Sequence, residues 1–246
     1  AVEREASALE YVLTGDDLFM KVRIKFSKHG AVRYIGHLDI MRYFQKSMRK
    51  SGVDIAYSTG YSPHQIMSFA QPLGVGMESD GEYLDIEMAS EENCEDIRRK
   101  LNSVMVPGIV IENVVALPDN AGNAMASVAA AKYKISLKSG DCFNLALIDA
   151  LSGFLDQNEI IITKETKKNT LIVDIKPGIY EASFDESGLF FTCFLDASSG
   201  GNIKAITVIK ALCDYCKIEF KPLDYMVCRL DTYANKDGAL VPLDKV

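Results

Sequence analysis

Hydrophobic periodicity switches between two residues and 3.6 residues in the same order twice along this chain, and that order restricts the folds open to it. Residues 20–26 set Val22, Ile24 and Phe26 against Lys21, Arg23 and Lys25, the alternation of a strand with one buried face. Residues 36–52 then carry Leu38, Met41, Phe44 and Met48 at helical spacing and stop at a glycine. Residues 54–58 form a short strand. Residues 82–88 alternate again, with Leu84, Ile86 and Met88 against Glu82, Asp85 and Glu87. Ser90 is placed to cap a helix running to about Met105, with Cys94, Ile97, Leu101 and Val104 inward, and residues 109–116 close the unit as a strand. Strand, helix, two strands, helix, strand is the βαββαβ order of the ferredoxin-like plan.

Residues 118–131 break the periodicity and read as a linker, after which the order returns. Strand 132–138, helix 144–155, strands 160–166 and 170–176, helix 202–216 and strand 225–232 repeat it, with an extra hairpin at 177–196 turned by Asp185–Gly188. The expected fold is α+β, two tandem ferredoxin-like domains with antiparallel sheets. Residues 1–19 form an N-terminal extension, 20–117 the first domain and 132–246 the second. The linker should then be the most protease-sensitive internal segment.

Charge is distributed unevenly. The chain carries a net −7, yet from Lys21 to Gln65 there are nine Lys and Arg against only Asp39 and Asp54. A basic element on an acidic protein points to an anionic partner. Lys21, Arg23 and Lys25 have a simpler explanation, because the third strand offers Glu82, Asp85 and Glu87 as cross-strand partners. Arg42, Lys46 and Arg49 fall at i, i+4 and i+7, one stripe of the first helix opposite its apolar face, and Lys50 extends it. With Arg33 they are the candidates for phosphate contacts.

The loop after residue 57 adds other chemistry. Tyr57 and Tyr61 offer stacking surfaces, Ser62 a hydroxyl, Gln65 an amide, and His64 a group that titrates near neutrality. His37 begins the basic helix. In a βαββαβ unit the first two strands run parallel, so both histidines are expected at one sheet edge, as an anion site or an acid–base pair for metal-free RNA cleavage. Gly74 and Gly76 permit close backbone approach but lack the spacing of a phosphate loop.

The six cysteines are scattered, which favours reduced thiols and a cytoplasmic protein. Cys213 and Cys216 make a lone C-x-x-C without histidines nearby, so core packing is the expected role and no metal or other cofactor is implied. No stretch approaches the length of a membrane span, and no secretory signal opens the chain.

The segments R-Y-I-G-H-L-D-I-M-R, A-Y-S-T-G-Y-S-P-H-Q and P-L-G-V-G-M-E-S-D-G-E-Y-L-D-I-E, with the closing R-L-D-T-Y at 229–233, resemble the radical SAM-linked (radical SAM-associated) proteins of bacteria. Members of that family occur alone or fused behind cobalamin-binding radical SAM proteins. The resemblance implies an accessory role beside a radical SAM partner in RNA modification or metabolism; with the basic helix and the Tyr/Ser/His loop it leads to the expectation of an RNA-binding accessory protein, the RNA class (tRNA or rRNA) left open. The chain itself lacks an iron–sulfur cysteine motif. Two alternatives stand beside this expectation. One is a metal-independent endoribonuclease of the CRISPR repeat-associated type, using His37 and His64. The other is a non-catalytic adaptor whose basic helix docks an acidic protein.

Overall fold

The computed structural model describes residues 20–118, 120–165 and 170–246. The first alternating segment forms β1 (Lys21–Lys28), with Val22, Ile24 and Phe26 buried. A 3-10 turn leads to α1 (His37–Ser51), which ends at Gly52, a left-handed residue at φ 71° where a side chain would be strained. Next come β2 (Met67–Phe69), β3 (Glu78–Glu87), α2 (Cys94–Asn102) and β4 (Ile109–Leu117). A short helix, α3 (Ala124–Ser127), enters the second half: β5 (Val128–Leu137), α4 (Leu145–Leu155), β6 (Ile161–Glu165), β7 (Thr170–Asp174), β8 (Ile179–Phe184), β9 (Phe191–Asp196), α5 (Ala205–Tyr215), β10 (Tyr225–Lys236) and β11 (Ala239–Pro242).

The two halves share one mixed α+β architecture built on a nine-stranded sheet. Its order is β4-β1-β3-β10-β5-β9-β8, with β2 on β3 and β11 on β10. All of its described pairings are antiparallel except the seam between halves, where β10 runs parallel to β3 and Arg229 faces Ser79. One core cluster lies under α1 and α2, another under α4 and α5.

Cross-strand charge pairing accounts for most of the basic alternation in β1. Register places Lys21 opposite Glu87 and Arg23 opposite Asp85, and their ion pairs measure 3.7 and 2.7 Å. Lys25 instead reaches Asp231 across the seam at 2.6 Å. Glu82 points to the other side of the sheet and meets Arg229.

Several expected boundaries need correction. Residues 54–58 make only isolated bridges, Ile55 to Met88 and Tyr57 to Gln65, and the strand that pairs with β3 is β2. Asn93 caps α2, accepting the Glu95 N–H, whereas Ser90 donates to Asp54. The inserted hairpin is β6–β7, and 179–196 supplies the sheet strands β8 and β9. Burial decides this: Phe191, Cys193 and Leu195 are fully buried, while β7 is almost wholly exposed. The linker is shorter than 118–131, since 128–131 belong to β5 and Ala130 and Ala131 are fully buried. The 1–19 extension lies outside the described residues.

Acid should loosen this structure in a defined window. Burial works to raise the Glu78 pKa, but the Gly30 N–H, Arg33 and His29 together hold it below the usual carboxylate range. Asp244 is half-buried yet held low by Asn113, Lys25, Lys245 and Tyr83. A carboxylate depressed in the folded state stabilises above its unfolded pKa and loses that contribution as pH falls through the folded value. The urea midpoint should therefore drop from about pH 4.5 downward, and the combined Glu78→Gln and Asp244→Asn variant should show a flatter decline.

Candidate functional site

The exposed basic surface is built by the length and register of α1. Phe44 and Met48 anchor its buried face, which turns Arg42, Lys46, Arg49 and Lys50 to solvent. Arg42 lies 3.3 Å from Asp39, one turn back. Lys46, Arg49 and Lys50 have no carboxylate within 4.0 Å among the described residues.

β1 delivers the chain to the start of α1 at its Lys28 end, and the helix runs back toward the Lys21 end. The 58–64 hairpin lies at that second end, because Met67 pairs with Ile86 and the residues before it run past Met88. The basic C-terminal half of α1 and the Tyr-rich hairpin thus share one end of the sheet. The hairpin is braced internally: Ser58 N–H donates to the His64 carbonyl at 2.8 Å, and Ser58 Oγ lies 2.8 Å from His64 Nδ1. Tyr61 is fully exposed at its tip, Tyr57 and Ser62 are also exposed, and Gln65 is buried with its amide donating to the Tyr57 hydroxyl at 3.4 Å.

The structure places three of the candidate groups away from the exposed surface. Gln65 is buried and braces the hairpin. Arg33 pairs with Glu78 at 2.9 Å and lies over the Tyr34 ring. His37 and His64 do not meet. The His37 ring stands edge-on to Phe69, 5.4 Å away between centroids. His64 precedes Phe69 by five residues of extended chain, on the order of 16 Å along the strand direction. The helix start and the hairpin belong to opposite ends of the sheet, because the hairpin forms before β2 and not after it.

A second constellation, at the start of α1, was missed by sequence reasoning. A cavity of about 20 Å³ has Lys28, His37, Gln71 and Glu82 around it, on a floor that includes Phe26 and Phe69. Lys28 and Glu82 are almost fully buried, as is Arg229. Arg229 Nη1 contacts both Glu82 oxygens at 3.0 and 3.1 Å, and its guanidinium lies over the Tyr133 ring. Lys28 Nζ donates to the Ile35 carbonyl at 2.9 Å and has no carboxylate within 4.0 Å among the described residues. Burial holds the Lys28 ammonium below the usual lysine range, with Glu82 acting the other way. Burial and the Lys28 charge push His37 below its ordinary value, which favours a neutral imidazole. The signal was in the parity of the sequence: Lys28 continues the Val22, Ile24, Phe26 face, and Glu82 precedes Leu84 and Ile86 on theirs.

The cysteine pair and the cleft beside β6–β7 carry less. Cys213 is fully buried, and burial pushes the thiols of both Cys213 and Cys216 up, the reverse of an activated thiolate. A cleft of about 790 Å³ separates β6–β7 from α5, but the Lys210 and Asp214 that line it pair with each other at 3.0 Å.

A family model described as an uncharacterized protein conserved in bacteria (DUF2344) matches residues 21–205, from the first residue of β1 to the first of α5. The chain belongs to the DUF2344 family. The matched span contains the α1 stripe, the 58–64 hairpin and the four polar residues around the cavity, Lys28, His37, Gln71 and Glu82, while Arg229, the partner of Glu82, lies beyond it. No curated protein matches the sequence. Among the described residues no helix of this DUF2344 chain is long and apolar enough to cross a membrane.

Proposed function

We propose that this DUF2344 protein is an RNA-binding accessory protein that acts in the cytoplasm with a radical SAM enzyme. The observation that carries the RNA part is the juxtaposition at one end of the sheet. Lys46, Arg49 and Lys50, without carboxylate partners among the described residues, stand at the same end as the exposed Tyr61 and His64. Cationic side chains there would hold backbone phosphates by counterion release, and Tyr57 and Tyr61 would stack unpaired bases. The partner rests on the family resemblance alone. We also read each half as a ferredoxin-like unit, on the strand orders β4-β1-β3-β2 and β10-β5-β9-β8. The separation of His37 from His64 argues against a two-histidine ribonuclease.

Anisotropy of a labelled single-stranded oligoribonucleotide tests the reading over a salt series. Arg42, Lys46 and Arg49 changed together to Glu should abolish binding at moderate salt with the fold intact. The log affinity against log salt slope should flatten by about 2–3. Equal binding by the variant would reduce the stripe to a solvated face. Absence of RNA binding by the wild type would favour an adaptor that docks an acidic protein.

A further inference from the structure

The cavity at the start of α1 has an uneven charge count. Arg229 and Glu82 cancel as a close pair, and the burial of His37 favours its neutral form. Lys28 is left as a buried cation, and among the described residues one of its three N–H donors is used, on the Ile35 carbonyl. A buried charge without a counter-charge is costly, so a site that retains one is suited to receive the opposite sign. Position sharpens this. Ile35 and Gly36 lead directly into α1, and Gly36 supplies no side-chain cap. Lys28 therefore sits against the positive end of a fifteen-residue helix, the wrong end for a resident cation and the right one for an anion.

Size and a second orphaned atom narrow the class. A cavity of about 20 Å³ takes little more than one water-sized centre, so only the head of a ligand enters while the rest passes the half-buried His37 and Gln71. One negative charge balances Lys28, whereas a phosphate dianion would bring an excess beside Glu82. Gln71 Oε1 is buried with no hydrogen-bond partner among the described residues, although its amide nitrogen donates to the Ala197 carbonyl and to Asn202. That lone acceptor calls for a donor on the ligand. We propose that the Lys28–Gln71 cavity binds a small 2-hydroxy carboxylate, its carboxylate on Lys28 and the α1 N-terminus, its hydroxyl on Gln71 Oε1. The site lies at the opposite end of α1 from the RNA-binding surface and stands without it.

The chain has three histidines, so the imidazole resonances of the intact protein report on the site, with His37→Gln supplying the assignment. Glycolate is titrated at constant ionic strength, with glycine, acetate, inorganic phosphate and chloride as controls. Glycolate should shift the His37 signal saturably, about tenfold more tightly than acetate, the scale of one hydrogen bond. Glycine, whose ammonium would add a cation beside Lys28, should bind no more tightly than acetate. Lys28→Met should abolish saturation, and Gln71→Leu should erase the preference over acetate while leaving acetate binding in place. The Gln71→Leu arm keeps the test decisive if Lys28→Met disturbs the fold. The proposal fails if glycolate does not saturate, if phosphate or glycine binds as tightly, or if Gln71→Leu keeps the preference.

Discussion

Replacing Arg229 with methionine should lower the unfolding free energy by about 3–5 kcal/mol, the cost of leaving one member of a buried ion pair alone. Both partners are nearly inaccessible, with side chains 4% and 6% exposed. Burial pushes Glu82 up, while the Arg229 guanidinium, Ser79 and Lys28 act the other way. Without Arg229 the Glu82 pKa should rise further in the folded state. A carboxylate raised on folding destabilises above its unfolded pKa, and protonation relieves that penalty as pH falls from the folded value toward the unfolded one. Arg229→Met should therefore regain stability between about pH 7 and pH 5, before the acid loss attached to Glu78 and Asp244 sets in. Adding Glu82→Leu should recover most of the loss at neutral pH, because an apolar pair can replace a buried ion pair at little cost. Urea unfolding of the wild type, the single variant and the double variant at both pH values measures all of this. A single variant with an unchanged midpoint would mean that the seam is hydrated.

Gly81→Ala should cost about 3 kcal/mol, at the upper end of overpacking penalties. A Cβ built on Gly81 would lie 2.6 Å from Asp231 Oδ1, 2.8 Å from Asp231 Cα and 2.9 Å from the Leu230 carbonyl oxygen. Two of those atoms are backbone, so no rotamer change relieves the contact. The Gly81 carbonyl also accepts the Thr232 hydroxyl at 3.2 Å, and Asp231 accepts the Tyr83 hydroxyl at 2.6 Å and pairs with Lys25. Pushing β10 from β3 would stretch all three interactions together. Gly36→Ala is the control, because nothing lies within 4 Å of its added Cβ, and it should lose no more than about 1 kcal/mol as a helix cap. Equal midpoints for the two variants would sink the close-approach argument.

Side-chain parity fixed what is local in this protein. Val22, Ile24 and Phe26 had to share one face of a strand, Phe44 and Met48 one face of a helix, and Gly52 had to end that helix, because backbone geometry sets side-chain direction residue by residue. The same parity put Lys28 and Glu82 on apolar faces, a legible signal of buried charge that the run of neighbouring lysines and acids obscured. The exposure of Arg42, Lys46 and Arg49 was likewise written in their spacing. Pairing was not. Residues 161–174 and 179–196 both read as strands, and only the tertiary fold admitted the second pair to the sheet, where Phe191, Cys193 and Leu195 could be covered. The brief bridges at Ile55 and Tyr57 moved His64 to the far end of the sheet from His37. The join of the halves rests on a parallel contact between β3 and β10, residues separated by about 150 positions, where Gly81 lets the chains close and Arg229 reaches Glu82. Periodicity records which way a side chain points; which strand it meets depends on burial and close packing between distant segments, and these exist only in the folded chain.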